Sequence, residues 1–182
     1  MVQITSKFLV LGALFATTYA VSLPKRDVAK VETDIASIST QVTSLDTTVN
    51  AFPDTGGSIT AALAINTATK SLTTTINSAT TDVKALTAPV AESDGETIIA
   101  AIQAFVPTIV DALTAIIAKK PSFDALLVAD ALVSQDLIAL NASTTAFEAA
   151  LVAVAPADLQ SKASTIVATL NTAFASAISA YA

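Results

Sequence analysis

The sequence offers few side chains whose type and spacing could do chemistry. It contains no His and no Cys. The usual neutral-pH general base, the commonest metal ligand and the thiolate nucleophile are therefore absent together. Ser and Thr are abundant, but without an imidazole partner or a G-x-S-x-G elbow they lack the activation a nucleophile needs. Paired carboxylates can hydrolyse glycosidic bonds, and two close sets exist, Asp94/Glu96 and Asp124/Asp130. The first opens a helical pattern, where acids favour the helix dipole, and the second sits on a solvated flank. Four glycines, two of them paired at Gly56-Gly57, mark a turn and not a phosphate loop. Lys119-Lys120 could meet a ligand carboxylate, yet at the end of a helical pattern cations also complement the dipole. This inventory predicts no catalytic residue, no cofactor and no metal site. The protein is expected not to be an enzyme.

The elements that would position any site begin after a leader. Residues 1–20 read as a secretory signal peptide: Lys7 closes a short positive region, Phe8 to Ala16 is apolar, and Thr18-Tyr19-Ala20 suits cleavage after Ala20. Residues 21–26 then read as a short pro-segment ending in the dibasic pair Lys25-Arg26, a processing site of the fungal Kex type. The remaining domain, residues 27–182, keeps six lysines against all 15 acids, a net charge of −9. That sign argues against nucleic acid and anionic membranes, which need clustered Lys and Arg. No later stretch reads as a membrane span of about 18 apolar residues or more, and no GPI signal closes the chain. Secretion, with release or non-covalent retention in a wall, is the expected location.

Helical periodicity fills this domain. Val28, Val31, Ile35, Ile38, Val42, Leu45, Val49 and Phe52 alternate spacings of three and four, the stripe of a helix seated in a left-handed bundle. Pro53 to Ser58 breaks the pattern, with Ser58 a candidate N-cap. A second, Thr-rich helix carries Ile65, Ala68, Leu72, Ile76, Ala79, Val83 and Leu86. Ser93 and Glu96 have the spacing of a capping box for a third helix, within which Pro107 predicts a kink or break. A long fourth helix is expected from Phe123 to Leu151, and Pro156 suits the first position of a fifth. The expected architecture is all-α, a single-domain bundle of about five amphipathic helices.

Hydrophobic residues make up 53% of the chain, yet aromatics are only 5% and Trp is absent. Helices faced with Ala, Val and Leu pack closely but fill volume poorly. A bundle of them around a Pro-bearing helix is a natural place for an elongated apolar cavity. The inward stripes of the last three helices supply its expected lining: Phe105, Ile109, Leu126, Leu137, Phe147, Ile166, Leu170 and Phe174. Ordinary core packing explains the same spacing, and the stripe alone does not separate the two. Asn141-Ala142-Ser143 is a glycosylation sequon, used only if Asn141 faces outward.

The run Pro107-Thr108-Ile109-Val110-Asp111-Ala112-Leu113, followed by Ile117-Ala118-Lys119-Lys120-Pro121-Ser122-Phe123-Asp124-Ala125, resembles the central segment of the fungal hydrophobic surface-binding proteins. That family includes cell-wall galactomannoproteins. The leader, the dibasic pair and the Ala-Tyr-Ala ending at 180–182 fit it too. The resemblance implies a secreted or wall-associated fungal protein. Some members adsorb to hydrophobic solids and recruit secreted esterases, and some hold fatty acids within a helical bundle. The long Ser/Thr-rich, GPI-tailed extension of many wall mannoproteins is missing here. Three readings follow: an adaptor adsorbed to a hydrophobic surface, a fatty-acid carrier with an internal cavity, and a structural or antigenic wall glycoprotein without a ligand.

Overall fold

The computed structural model describes residues 24–126 and 129–182, with side chains from Asp27 onward. The expected signal peptide and most of the expected pro-segment lie outside the described residues. Of Lys25 and Arg26 only the backbone is described, within the first turn of the first helix. Six helices follow one another among the described residues: α1 (Pro24–Ala51), α2 (Ile59–Lys84), α3 (Glu92–Ala118), α4 (Lys120–Asp124), α5 (Ala129–Val154) and α6 (Gln160–Ala180). The all-α expectation holds.

The five long helices close into a ring, in the order α1, α2, α5, α6, α3 and back to α1. Chain direction alternates along the sequence, so α1, α3 and α6 run one way and α2 and α5 the other. Every residue of the α1 stripe from Val28 to Phe52 is buried. The α2 stripe is buried too, with Ala68 only partly so. The Thr-rich face of α2 is tolerated because its hydroxyls donate back to carbonyls four residues earlier, as Thr69 does to Ile65 and Thr80 to Ile76. Ser58 caps α2, its side chain accepting from the Ala61 amide at 3.1 Å.

Four local expectations are corrected. The fourth helix is split into α4 and α5, because Lys120 turns the chain by donating to both Asp124 (2.8 Å) and Asp130 (2.7 Å). Phe123 then buries at the end of the bundle and not along its side, a bend that apolar spacing cannot register. The Ser93/Glu96 capping box does not form: α3 starts earlier, after extended Ala91, whose carbonyl accepts from the Asp94 and Gly95 amides. Glu92 and Asp94 supply the negative charge of its first turn. Pro156 is not at a helix start but in the α5–α6 turn, where its carbonyl accepts from the Leu159 amide. Of the kink or break expected at Pro107, the break does not occur, because α3 runs uninterrupted from 92 to 118. Both Pro107 and Gln103, whose carbonyl loses its bond, are exposed, so water can satisfy that carbonyl.

The expectation about spans also needs amending. By length and hydropathy α3, α5 and α6 are each apolar enough to cross a membrane. They are consecutive neighbours in the ring, and their apolar stripes face its interior.

One end of the ring is closed by aromatic residues. Phe52 follows α1, Phe123 lies in α4, and Tyr181 follows α6; all three are buried. Phe123 meets Tyr181 edge to face at 6.4 Å, and the Tyr181 hydroxyl donates to the Ile116 carbonyl at 2.7 Å. Lys120 lies 4.8 Å over the Tyr181 ring, while Lys119 pairs with Asp54 at 2.7 Å. The Ala-Lys-Lys-Pro-Ser-Phe-Asp segment is thus a corner clasp, and its lysines are engaged with carboxylates of the protein itself.

Candidate functional site

The ring leaves a hollow along its axis. An apolar cavity of about 100 Å³ is walled by residues of all five long helices. From α1 come Ile38, Val42 and Leu45, and from α2 Leu72 and Ile76. The α3 wall runs from Gly95 to Leu113, about 27 Å at the rise of an α-helix. Helix α5 adds Leu140, Thr144, Phe147, Glu148 and Leu151, and α6 adds Ile166, Leu170 and Phe174. The space is narrow and long, the shape of an extended acyl chain and not of a compact metabolite.

Of the eight residues expected to line it, Phe105, Ile109, Phe147, Ile166, Leu170 and Phe174 do so. Leu137 instead borders a separate void of about 40 Å³, shared with Val49, Ile65 and Asp136. Leu126 lines neither; it sits partly buried where α4 turns into α5. Leu137 still faces the ring interior, but further along it, beside residues of α1, α2 and α3. The α1 and α2 walls were not foreseen. A stripe shows that a helix face is buried, not which other faces share the space it borders.

Two buried acids were missed as well. Glu148 is buried (7% exposed), and neither of its carboxylate oxygens has a hydrogen-bond partner. Burial pushes its carboxyl up to about 7. Its position was readable: Leu140, Thr144, Phe147, Glu148 and Leu151 form one stripe of α5, with the acid eight residues after Leu140. Asp136, beside the smaller void, accepts from the Asn66 amide at 2.7 and 2.8 Å. Burial raises its carboxyl, against the lowering effect of that bond and of Lys70.

The carboxylate pairs considered for glycoside hydrolysis lie outside the cavity. Asp124 and Asp130 share Lys120, and the bond to Lys120 holds the Asp124 carboxyl below its usual range. Asp94 and Glu96 belong to the first turns of α3, where neighbouring Glu92 is raised by Asp158 across the α5–α6 turn. No group of three acidic residues able to hold a metal occurs among the described residues. Asn141 of the sequon is partly buried on α5.

A closed ring of amphipathic helices around an elongated apolar cavity defines this as an all-α bundle built about an internal site. The chain belongs to the HsbA family, hydrophobic surface binding protein A, which matches residues 28–153. Its structure is similar to that of AfMP4p in complex with palmitic acid, with a TM-score of 0.79 and 31% identity over 85% of this chain and 99% of that one. It also shares the fold of ligand-binding domain 1 of the Penicillium marneffei MP1 protein complexed with arachidonic acids. There the TM-score is 0.78 at 15% identity, over 86% of this chain and 99% of that one. Domain 2 of the same protein, in complex with arachidonic acids, superposes at a TM-score of 0.74 with 13% identity, covering 86% and 93% of the two chains. No curated protein sequence matches the chain.

Proposed function

We propose that this protein is a secreted, non-catalytic carrier that holds a long-chain fatty acid inside its helical ring. The observation that carries the reading is the cavity: long, narrow, and polar only at Thr144 and Glu148. An acyl chain placed there leaves water at about 25 cal/mol per Å² of apolar surface. The likeness to AfMP4p in complex with palmitic acid supports the same reading. Without His, Cys or a paired carboxylate at the cavity, the residues present supply binding and no reaction. The test is titration of delipidated protein with palmitic acid, which should give saturable one-to-one binding and a rise in melting temperature.

Surface adsorption is a second reading with its own observation. Ile59 and Leu63, one turn apart on α2, and Ile138 on neighbouring α5 are large apolar side chains about half exposed, at 54%, 49% and 54%. Exposed apolar side chains of this kind could rest on a hydrophobic solid and bring a secreted esterase with them. Adsorption to hydrophobic beads should then fall in an Ile59→Ser/Leu63→Ser/Ile138→Ser protein while palmitic acid binding is kept. Secretion is supported by the pattern of residues 1–20, and glycosylation by the sequon at Asn141.

A further inference from the structure

Glu148 is anomalous in a carrier of hydrocarbon. A carboxylate buried without a donor is costly, and a Gln or Leu in its place would pack as well. It lies in the second half of α5, six residues before Val154, toward the end of the cavity where α3 and α6 begin. Thr144 stands one turn before it, and the remainder of the wall is apolar. Among the described residues no other ionisable side chain lines the cavity. Lys70, Asp82 and Lys84 on α2, Lys162 on α6 and Lys120 and Asp124 on α4, the helices packed against α5, are absent from its wall, as are Asp130 and Asp136 of α5 itself. Glu148 forms no ion pair among the described residues.

We propose that Glu148 holds the acidic end of the ligand by sharing one proton with it, so that the cavity takes up a fatty acid and a proton together. The inference rests on the carrier reading above. Two carboxylates cannot both be ionised side by side in an apolar space. One carboxyl therefore keeps its proton and donates it to an oxygen of the other, and the pair carries a single negative charge. The shared proton gives one of the two unpartnered Glu148 oxygens a partner, as donor to the ligand or as acceptor from it. The acyl chain runs from this point along the cavity toward Leu45 and Leu113.

The linkage gives a quantitative expectation. In the empty protein Glu148 already carries the proton below about pH 7, where burial has raised it. A free carboxyl in water has lost its own by about pH 4–5. Between these limits the separate partners hold one proton and so does the complex, so affinity should be level. Above about pH 7 the proton must be taken from solution, and affinity should fall about tenfold per pH unit.

The experiment is palmitic acid binding to delipidated protein from pH 5 to 9, wild type beside Glu148→Gln. The amide of Gln donates to a carboxylate at every pH, so this near-isosteric variant should bind with no such fall. The ratio of wild-type to variant Kd should be constant up to about pH 7 and rise about a hundredfold by pH 9. That ratio cancels the ionisation and self-association of free palmitic acid. A ratio flat from pH 5 to 9, with both proteins binding, overturns the role of Glu148 and leaves the carrier reading intact. If the variant does not fold, a wild-type affinity level from pH 7 to 9 overturns it equally. Absence of binding by wild type at any pH overturns the carrier reading, and this inference with it.

Discussion

The ring of Phe52 lies flat on that of Phe123, with centroids 4.3 Å and planes 6° apart. The contact joins the end of α1 to α4 and, through Tyr181, to the end of α6. It seals the ring opposite the end where Glu148 lies. Phe123→Ala should cost about 3–5 kcal/mol, read as a drop in the denaturation midpoint. Tyr181→Phe, which removes only the hydroxyl bonded to the Ile116 carbonyl, should cost about 1 kcal/mol. Equal effects of the two changes would show that the aromatic seal is not a packing unit.

The turn before α2 gives a paired prediction. A Cβ on Gly57 would lie 2.3 Å from Cζ of Phe52, whereas one on Gly56 would meet nothing within 4 Å. Gly56 instead needs its left-handed backbone, at φ 69°. Gly56→Ala should cost about 1 kcal/mol from backbone strain. Gly57→Ala should cost more, about 1–3 kcal/mol, because the Phe52 ring must leave its place on Phe123. Urea denaturation of the two variants measures the difference, and a reversed order would contradict the account.

Glu148 should mark the stability of the empty protein with pH. Its carboxyl is raised from 4.5 to about 7 on folding, with burial as the cause. A group raised in the folded state contributes stability below its unfolded pKa and loses it as pH rises through the folded one. Wild type should therefore lose on the order of 2–3 kcal/mol from this group between about pH 4.5 and 7. Glu148→Gln should remove that slope, so the variant is the more stable protein at pH 8. Parallel stability curves for the two proteins over that range would show that the carboxyl is hydrated in the empty cavity.

Maturation is testable apart from the ring. Processing after Lys25-Arg26 predicts that the secreted protein begins at Asp27. N-terminal sequencing checks it; a start at Val21 would mean that the dibasic pair is not used.

The legible parts of this fold were those set by a single helix. The α1 stripe needed only period, and Ser58 needed only a polar side chain at a break. Features involving two elements were not legible. The α4–α5 bend depends on Lys120 reaching Asp130 across the turn, and Pro156 was misplaced because Gly95 of α3 sets the clearance there. A Cβ on Gly95 would come within 2.8 Å of Leu159 and 3.0 Å of Pro156. The cavity wall was half legible for the same reason. Inward stripes named Phe105, Leu170 and Phe174, but only the closed ring shows that α1 and α2 face the same hollow. Glu148 lay on its stripe throughout, hidden among the scattered acids of an acidic surface.

Leu170 gives the most direct test of the central claim. It is buried, at 3% exposure, and borders the cavity midway along α6. Leu170→Trp places a larger side chain into space that already exists, so it should cost less than the about 1–3 kcal/mol of overpacking a filled core. The measurement is palmitic acid titration of delipidated wild type and Leu170→Trp, each shown to be folded by its thermal transition. Wild type should bind one equivalent saturably, and Leu170→Trp should lose at least tenfold in affinity. A folded Leu170→Trp protein that binds palmitic acid at full affinity would contradict the cavity as the site and favour the exposed apolar side chains of the outer surface.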